Sequence, residues 1–153
     1  MGMKNTERTS AHYRTQYEQV VGLGIIAFGS LFFTYLNHLL IAAQNLPIAL
    51  AIHASLAISF WLLWKVESLR RLKLELCLFL TVFVFEASWF LSFYLLHQQL
   101  LALGFILMWM TNLLLLTALF WKKDKMAGLT LSIVLIWTFY LLSTNIMLCI
   151  TNP

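Results

Sequence analysis

Charged side chains are scarce in this sequence. Lysine, arginine, aspartate and glutamate make up 10% of its 153 residues, whereas 61% are hydrophobic. Soluble domains carry roughly a quarter charged residues, so this composition excludes an ordinary soluble domain. The few charges also cluster along the chain, and Glu86 is the one that lies far from any cluster. We therefore interpret the chain as an all-α integral membrane protein, because a helix satisfies its own backbone hydrogen bonds in lipid.

Motifs for catalysis and for metal or cofactor binding are also missing. The two cysteines, Cys77 and Cys149, lie in different apolar segments without a CxxC pair, and we expect both to be buried and unpaired. No HxxxH or HExxH spacing, phosphate-binding glycine loop, dinucleotide fingerprint or nucleophilic triad occurs. The sequence favours a protein that is not an enzyme and requires no metal or cofactor. It also predicts no cleavable signal peptide, because a polar segment precedes a long apolar run.

Five apolar segments are each long enough to cross the hydrocarbon core of a bilayer as a helix, at about 1.5 Å per residue. We predict a polar N-terminal segment over residues 1–18 and a bundle of five transmembrane helices over residues 19–153. The predicted spans are 20–41, 47–64, 74–96, 100–121 and 127–150. Gly22, Gly24 and Gly29 are expected to let the first span pack closely against a neighbour. Pro47 suits the first turn of the second span.

The basic residues predict the orientation of the bundle. They fall in the N-terminal segment, around residues 65–75 and at residues 122–125, whereas the intervening loops and the C-terminus carry none. The positive-inside rule then places the N-terminus in the cytoplasm and the C-terminus outside, which suits a bacterial inner membrane. Topology explains the formal net charge of +4. The lipid bilayer is the expected partner, and no nucleic acid is needed.

Glu86 falls at the middle of the third predicted span. A carboxyl group at that depth costs several kcal/mol unless it is protonated, paired or hydrated, so it is by default a candidate functional residue. On a regular helix Trp89, Phe93 and His97 follow Glu86 on one face. We expect that face to point into the protein and not toward lipid.

Several polar side chains share the outer half of the predicted bundle. His53 lies in the second span and Asn145 in the fifth; the others are Asn37, His38, Ser92 and Ser143. Because hydrocarbon drives such groups toward protein partners or water, we infer a pocket that opens outward, is lined by aromatic side chains and has Glu86 at its floor. Hydrogen-bonded packing is the alternative role for the histidines. Hydrogen bonding between helices is the alternative for Asn145 and Asn112.

The second half of the chain resembles the TspO/translocator-protein family of tryptophan-rich sensory proteins. The family's third-span pattern LN-x-x-W-S-x-x-F-F is similar to FEASWFLSFY, with Trp89, Phe93 and Tyr94 in place and Glu86 at the asparagine position. The family's Leu-Trp in the fourth span resembles the segment that ends at Trp109. Its later patterns, F-W-x-x-x-x-x-A-A and P-Y-x-x-W-x-x-F-A-x-x-L-N, resemble residues that include Phe120, Trp121, Ala127, Gly128, Trp137, Tyr140, Leu141, Thr144, Asn145 and, at the close, Asn152.

The chain also departs from the family patterns. Ile133 and Val134 replace the Pro-Tyr pair, and Leu141 replaces an alanine near the family's ligand. Only AAQNLP stands where the family has a long first loop with a W-x-P-P motif. A cholesterol-type motif requires a basic residue after Tyr140, and none follows.

The resemblance implies a five-helix homodimer that binds, senses or transports porphyrin, haem or another flat hydrophobic molecule. A pocket with aromatic walls and few polar groups suits such a ligand independently. We predict that its ring system stacks on Trp89, Phe93, Trp137 and Tyr140. Its polar groups are predicted to meet Glu86, His53 and Asn145.

Two other functions stay open. The short outer loops and glycine-rich first span equally suit a small interaction protein without a ligand, such as an accessory subunit of a membrane complex or an immunity protein against a pore-forming toxin. Glu86 also suits a proton-coupled transporter, although the chain lacks the paired acids and the internal repeat found in many such folds.

Overall fold

The computed structural model describes residues 16–40, 46–67 and 71–151, and in these ranges the chain is helical with no strand. The helices are α1 (Gln16–Leu40), α2 (Leu46–Val66), α3 (Lys73–Phe90), α4 (Gln99–Lys123) and α5 (Lys125–Thr151). A π-helical turn, Leu91–Leu95, extends α3. The predicted all-α fold is confirmed, with helix ends within a few residues of those expected. Most of the predicted polar segment 1–18 lies outside the described residues.

Four of these helices, α2 to α5, are long and apolar enough to cross a membrane. The described apolar part of α1, Tyr17–Phe32, is shorter. Pro47 lies in the first turn of α2, where its missing N–H group removes no helical hydrogen bond. The helices therefore provide four candidate spans and one shorter apolar helix.

The helices pack in an order different from their order in the chain. α1 packs on α2, α2 on α5, α5 on α4, and α4 on α3. The two helices α2 and α3 meet mainly through large side chains. The rings of Phe60 and Phe79 lie 4.5 Å apart, and those of His53 and Phe83 6.4 Å apart. This arrangement leaves room for a cavity between the backbones of α2 and α3.

The basic residues of two loops gather at one end of the bundle. Nζ of Lys123, at the end of α4, lies 2.7 Å from Oε1 of Glu75, and it also donates a hydrogen bond to the Arg71 carbonyl oxygen. Asp124 alone joins α4 to α5, and its Oδ1 accepts a hydrogen bond from the Ala127 N–H at 2.8 Å. This contact caps α5. We call this region the basic end of the bundle.

Large apolar side chains fill the basic half of the bundle. The Phe60 ring lies against both Phe79 and Phe120, with a centroid separation of 6.3 Å to Phe120. Fully buried aliphatic side chains surround these rings, among them Leu56, Leu63, Leu113, Leu116 and Leu131. The buried core continues into the opposite half of the bundle, where Ala102 and Ile106 are fully buried, and the cavity lies beside it.

The close-packing prediction for the first-span glycines holds at one position of three. A Cβ atom on Gly22 would lie 2.8 Å from Nε1 of Trp64, so the missing side chain lets α1 approach α2. Gly24 and Gly29 have nothing within 4 Å of that position.

The expectation that both cysteines are buried is wrong for Cys77, which is exposed on α3, whereas Cys149 is half-buried. Both are free thiols.

Candidate ligand-binding site

A cavity of about 210 Å³ lies between α2, α3, α4 and α5. Its walls come from the first half of α2, the last part of α3 with its π-helical turn, the middle of α4 and the second half of α5, so it lies away from the basic end. The lining side chains are Ile48, Ala49, Ile52, His53, Glu86, Trp89, Tyr94, Trp109, Trp137 and Leu141. The sequence predicted an outward-opening aromatic pocket with Glu86 at its floor; the cavity has aromatic lining residues and Glu86 among them, and its orientation in the membrane stays a prediction.

His53 and Glu86 form a polar pair at the wall of the cavity. Nε2 of His53 lies 3.3 Å from Oε1 of Glu86, and the two side chains are 4% and 11% exposed. The pair joins α2 to α3, which also meet through the rings of Phe60 and Phe79. Sequence reasoning identified both residues but not their direct contact.

The contact of Nδ1 with a carbonyl oxygen indicates which ring nitrogen of His53 carries a hydrogen. Its Nδ1 is 2.9 Å from the Ala49 carbonyl oxygen. A carbonyl oxygen can only accept, so Nδ1 carries the hydrogen, and Nε2 of the neutral ring is an acceptor. The contact between Nε2 and Glu86 is then attractive only when one proton lies between them. The pair is either imidazolium with carboxylate or imidazole with carboxylic acid, and it is neutral in both forms.

Three indole rings and one phenol ring form the aromatic part of the wall. The centroid of Trp89 lies 6.0 Å from that of Trp109 and 6.1 Å from that of Tyr94, and the Tyr94 ring stands edge-on to it. Trp137 reaches the cavity from α5. Such tilted and edge-to-face contacts are favourable for aromatic rings, so Trp89 packs favourably against both neighbours.

The π-helical turn changes which aromatic side chain faces the cavity. An α-helix places residues i and i+4 on one face, whereas a π-helical turn adds a residue to the turn. Tyr94 therefore lines the cavity five residues after Trp89, in place of Phe93. Phe93 instead stacks on Trp89 with centroids 5.7 Å apart. His97 does not continue the face, because it is exposed and has a left-handed backbone (φ 52°) where the helix ends.

Asn145 and Tyr140 lie next to the lining residues without lining the cavity themselves. Nε1 of Trp89 donates to Oδ1 of Asn145 at 3.3 Å, and the Asn145 amide donates to the Leu141 carbonyl oxygen. Tyr140 is exposed, and its ring lies 5.4 Å from that of Trp137. Asn145 therefore positions Trp89, which is close to the alternative role of hydrogen bonding between helices.

The remaining polar residues are satisfied elsewhere. Ser92 and Ser143 donate to carbonyl oxygens of their own helices. Asn112 donates to the Leu78 carbonyl oxygen and so links α4 to α3. The side chains of Asn37 and His38 lie outside the described residues. Within the described ranges, no group of three His, Cys, Asp or Glu side chains is close enough to hold a metal ion.

Sequence reasoning missed several lining residues. Trp109 and Leu141 were noted only as family-pattern positions, and Tyr94 was passed over because a regular helix favours Phe93. Ala49 precedes His53 by four residues and Ile48 precedes Ile52 by four, so these residues form two neighbouring rows on α2. The position of His53 was the signal that could have found them.

Comparison with protein families gives one match, the TspO/MBR family, over residues 42–150. Comparison with curated proteins and with solved structures gives no match. The matched stretch covers most of the chain and contains all four helices that line the cavity. Four of its helices are long and apolar enough to cross a membrane. The chain is therefore an integral, multi-pass membrane protein that belongs to the TspO/MBR family.

Proposed function

We propose that this protein binds a flat hydrophobic molecule in the cavity between α2, α3, α4 and α5, and that it senses or transports that molecule without converting it. The observation that carries this proposal is the wall of the cavity, where three tryptophans and a tyrosine surround one carboxyl–imidazole pair. Ligand sites of this kind are mostly apolar, with a small number of polar groups that orient the ligand. A tetrapyrrole is the ligand class that the family resemblance implies.

Two polar atoms of the lining residues support a ligand with few polar groups. Oε2 of Glu86 and Nε1 of Trp109 are buried and have no hydrogen-bond partner among the described residues. An unsatisfied buried polar group costs about 1–3 kcal/mol. A bound molecule that offers one donor and one acceptor would offset that cost, whereas a strongly polar molecule would not match the apolar remainder of the wall.

The size of the cavity bears on how a tetrapyrrole would bind. Its volume of about 210 Å³ lies below the roughly 300–1,000 Å³ typical of small-molecule pockets. A macrocycle would therefore enter by one edge, and the rest of the ring would lie in the opening. A molecule of two or three fused rings would be enclosed more completely.

We further propose that α1 is a fifth membrane span and that the basic end faces the cytoplasm, with the C-terminus outside. α1 is 25 residues long, which corresponds to about 37 Å of helix at 1.5 Å per residue. Lys65, Arg71, Lys73, Lys122 and Lys123 all lie at or near one end of the bundle. The cavity then lies in the outer half of the membrane.

Titration of the detergent-purified protein with protoporphyrin IX and haemin tests the binding proposal. Three of the six tryptophans line the cavity, so ligand entry should quench tryptophan fluorescence and shift the Soret band in a saturable way. Trp137→Leu should weaken binding at least fivefold. Its matched control is Trp121→Leu, because Trp121 is 47% exposed and lies at the basic end.

Porphyrins also adsorb to detergent and to apolar protein surfaces, so a helical membrane protein without this cavity serves as the second control. Equal quenching in that protein, or equal affinities of the Trp137 and Trp121 variants, would remove the cavity from the binding site. Recovery of a stoichiometric membrane partner without pigment would then favour the interaction function.

A further inference from the structure

We propose that the cavity selects a flat aromatic cation and exchanges it for the proton shared by His53 and Glu86. The inference rests on the proposed binding function, and it specifies the charge of the part of the ligand that enters the cavity. It depends on three features of the cavity: the ring walls, the carboxyl group of Glu86 and the proton count of the pair.

The ring walls suit a cation. A positive charge within about 6 Å of an aromatic ring face is attracted by the ring quadrupole, most strongly by tryptophan, and sites that enclose organic cations in several such rings are well established. Trp89, Trp109 and Trp137 line this cavity together with Tyr94. A cation held among these rings, away from bulk water, would be bound more strongly than one at an exposed ring.

Glu86 supplies the charge that the rings alone lack. Its Oε2 is buried without a hydrogen-bond partner among the described residues, and its Oε1 lies against His53. The lysine and arginine side chains of the described residues are far from it, at the basic end, where Lys123 pairs with Glu75. His53 is therefore the only basic side chain among the lining residues. Although the pair is neutral overall, a ligand carboxylate would face the unpartnered acceptor Oε2, which offers it no donor, whereas a ligand cation would be attracted to that oxygen.

The number of protons held by His53 and Glu86 determines whether a proton is released when a cation binds. The pair holds one proton in the free protein, because Nδ1 of His53 is committed to the Ala49 carbonyl oxygen. When a permanent cation enters, the cavity has zero net charge only if Glu86 is a carboxylate and His53 is a neutral imidazole. The proton then leaves to water, so one cation enters for each proton released, and the net charge of the cavity stays at zero.

The other lining residues that the structure describes cannot supply that proton near neutral pH. Tyr94 is the only further titratable side chain among the lining residues, and a phenol keeps its proton in this range. α4 and α5 contribute Trp109, Trp137 and Leu141. On the side of α1, His53 borders a separate apolar crevice lined by Leu23, Ala27, Ser30 and Leu31.

A matched series of three tricyclic compounds tests the charge preference. The compounds are N-methylacridinium, a permanent cation; anthracene, which is neutral; and anthracene-9-carboxylate, an anion. Each is titrated against the full chain in a non-ionic detergent by tryptophan quenching. We expect the cation to bind at least tenfold more tightly than the anion, with anthracene between them. Glu86→Gln should abolish the order, and Glu75→Gln should keep it.

Proton exchange is tested with the cation alone between pH 6 and 8. The dissociation constant should fall as pH rises, by up to tenfold per pH unit, and it should become flat in Glu86→Gln. Calorimetry in two buffers with different ionisation enthalpies should count about one proton released per cation. A flat profile in the unmodified chain would overturn the exchange.

The outcomes separate this inference from the proposed function. If anthracene binds and Trp137→Leu weakens it, but the cation and the anion bind equally, the binding function stands and the charge selection is wrong. A preference that survives Glu86→Gln would also overturn the selection, since it would then come from the detergent or from another surface. Failure of all three compounds to bind would overturn the inference, whereas the titration with protoporphyrin IX and haemin decides the proposed function separately.

Discussion

Glu75 and Glu86 lie on the same helix and are both buried, at 4% and 8% exposure, but their surroundings differ. Glu75 lies in the first turn of α3, where the helix dipole favours a negative charge, and it meets Nζ of Lys123 at 2.7 Å. Glu86 lies about one turn before the end of α3, where the π-helical turn extends the helix, and it meets His53 at 3.3 Å. Its second oxygen lacks a partner among the described residues.

The difference separates a structural carboxylate from one that is suited to binding. At the basic end, the ion pair joins α3 to α4 and the surrounding core is filled by apolar side chains. At the other end, the polar pair borders a cavity. A buried charge is costly unless it is fully paired, so the incompletely paired carboxyl group marks the region where a ligand would compensate.

The largest expected effect concerns which end faces the cytoplasm. In a chain with Cys77→Ala and Cys149→Ala, we expect Gln98→Cys to react in whole cells with a membrane-impermeant maleimide and Lys122→Cys to remain unlabelled. Both positions are exposed and lie at opposite ends of α4. Lysed cells, in which both should react, are the control. The reverse pattern would invert the proposed orientation of the cavity.

Replacing a glycine by alanine should change the stability of the protein in opposite directions at the two ends of the bundle. A Cβ atom on Gly128 would lie 2.8 Å from Cε3 of Trp121 and 2.9 Å from its backbone Cα, which cannot move freely. We expect Gly128→Ala to lower the free energy of unfolding by about 2 kcal/mol through overpacking. Gly104, nearer the cavity, has nothing within 4 Å, so Gly104→Ala should raise it by about 0.5 kcal/mol. Unfolding by denaturant in mixed micelles measures both; similar values would contradict the close approach at Gly128.

The smallest expected effect is the difference in stability between the variants Glu75→Gln and Glu86→Gln, which should differ much more in ligand binding. Glu75→Gln removes a charge from a tight pair whose lysine is 26% exposed, and we expect a loss of about 1 kcal/mol, between exposed and buried ion pairs. Glu86→Gln leaves an amide that can donate to Nε2 of His53, so its cost should be smaller. Thermal unfolding in detergent compares the two, and a larger loss for Glu86→Gln would make that residue structural.

Much of the fold follows from the sequence, because hydrocarbon accepts backbone polar groups only when they are hydrogen-bonded within a helix or barrel. The apolar runs and the basic loops therefore set the number of helices and their approximate ends. The homodimer and the ligand class stay predictions, since they come from the family resemblance.

The faces of the helices were less predictable. Apolar residues occupy every side of these helices, and lipid is as apolar as leucine, so hydropathy does not show which side faces the protein. Cys77 illustrates this: it was expected to be buried and is exposed on α3. Gly24 and Gly29 were expected at a close helix contact and have none.

The sequence by itself determined the membrane class, the helical fold and the candidates Glu86, Trp89, His53 and Trp137, because a charge or a run of large rings inside an apolar segment stands out without coordinates. Only the tertiary structure decided that His53 meets Glu86, that Tyr94 replaces Phe93 in the wall and that Trp109 joins it. These outcomes depend on the rotation of each helix and on one π-helical turn. Both are set by packing between segments that are distant in the chain.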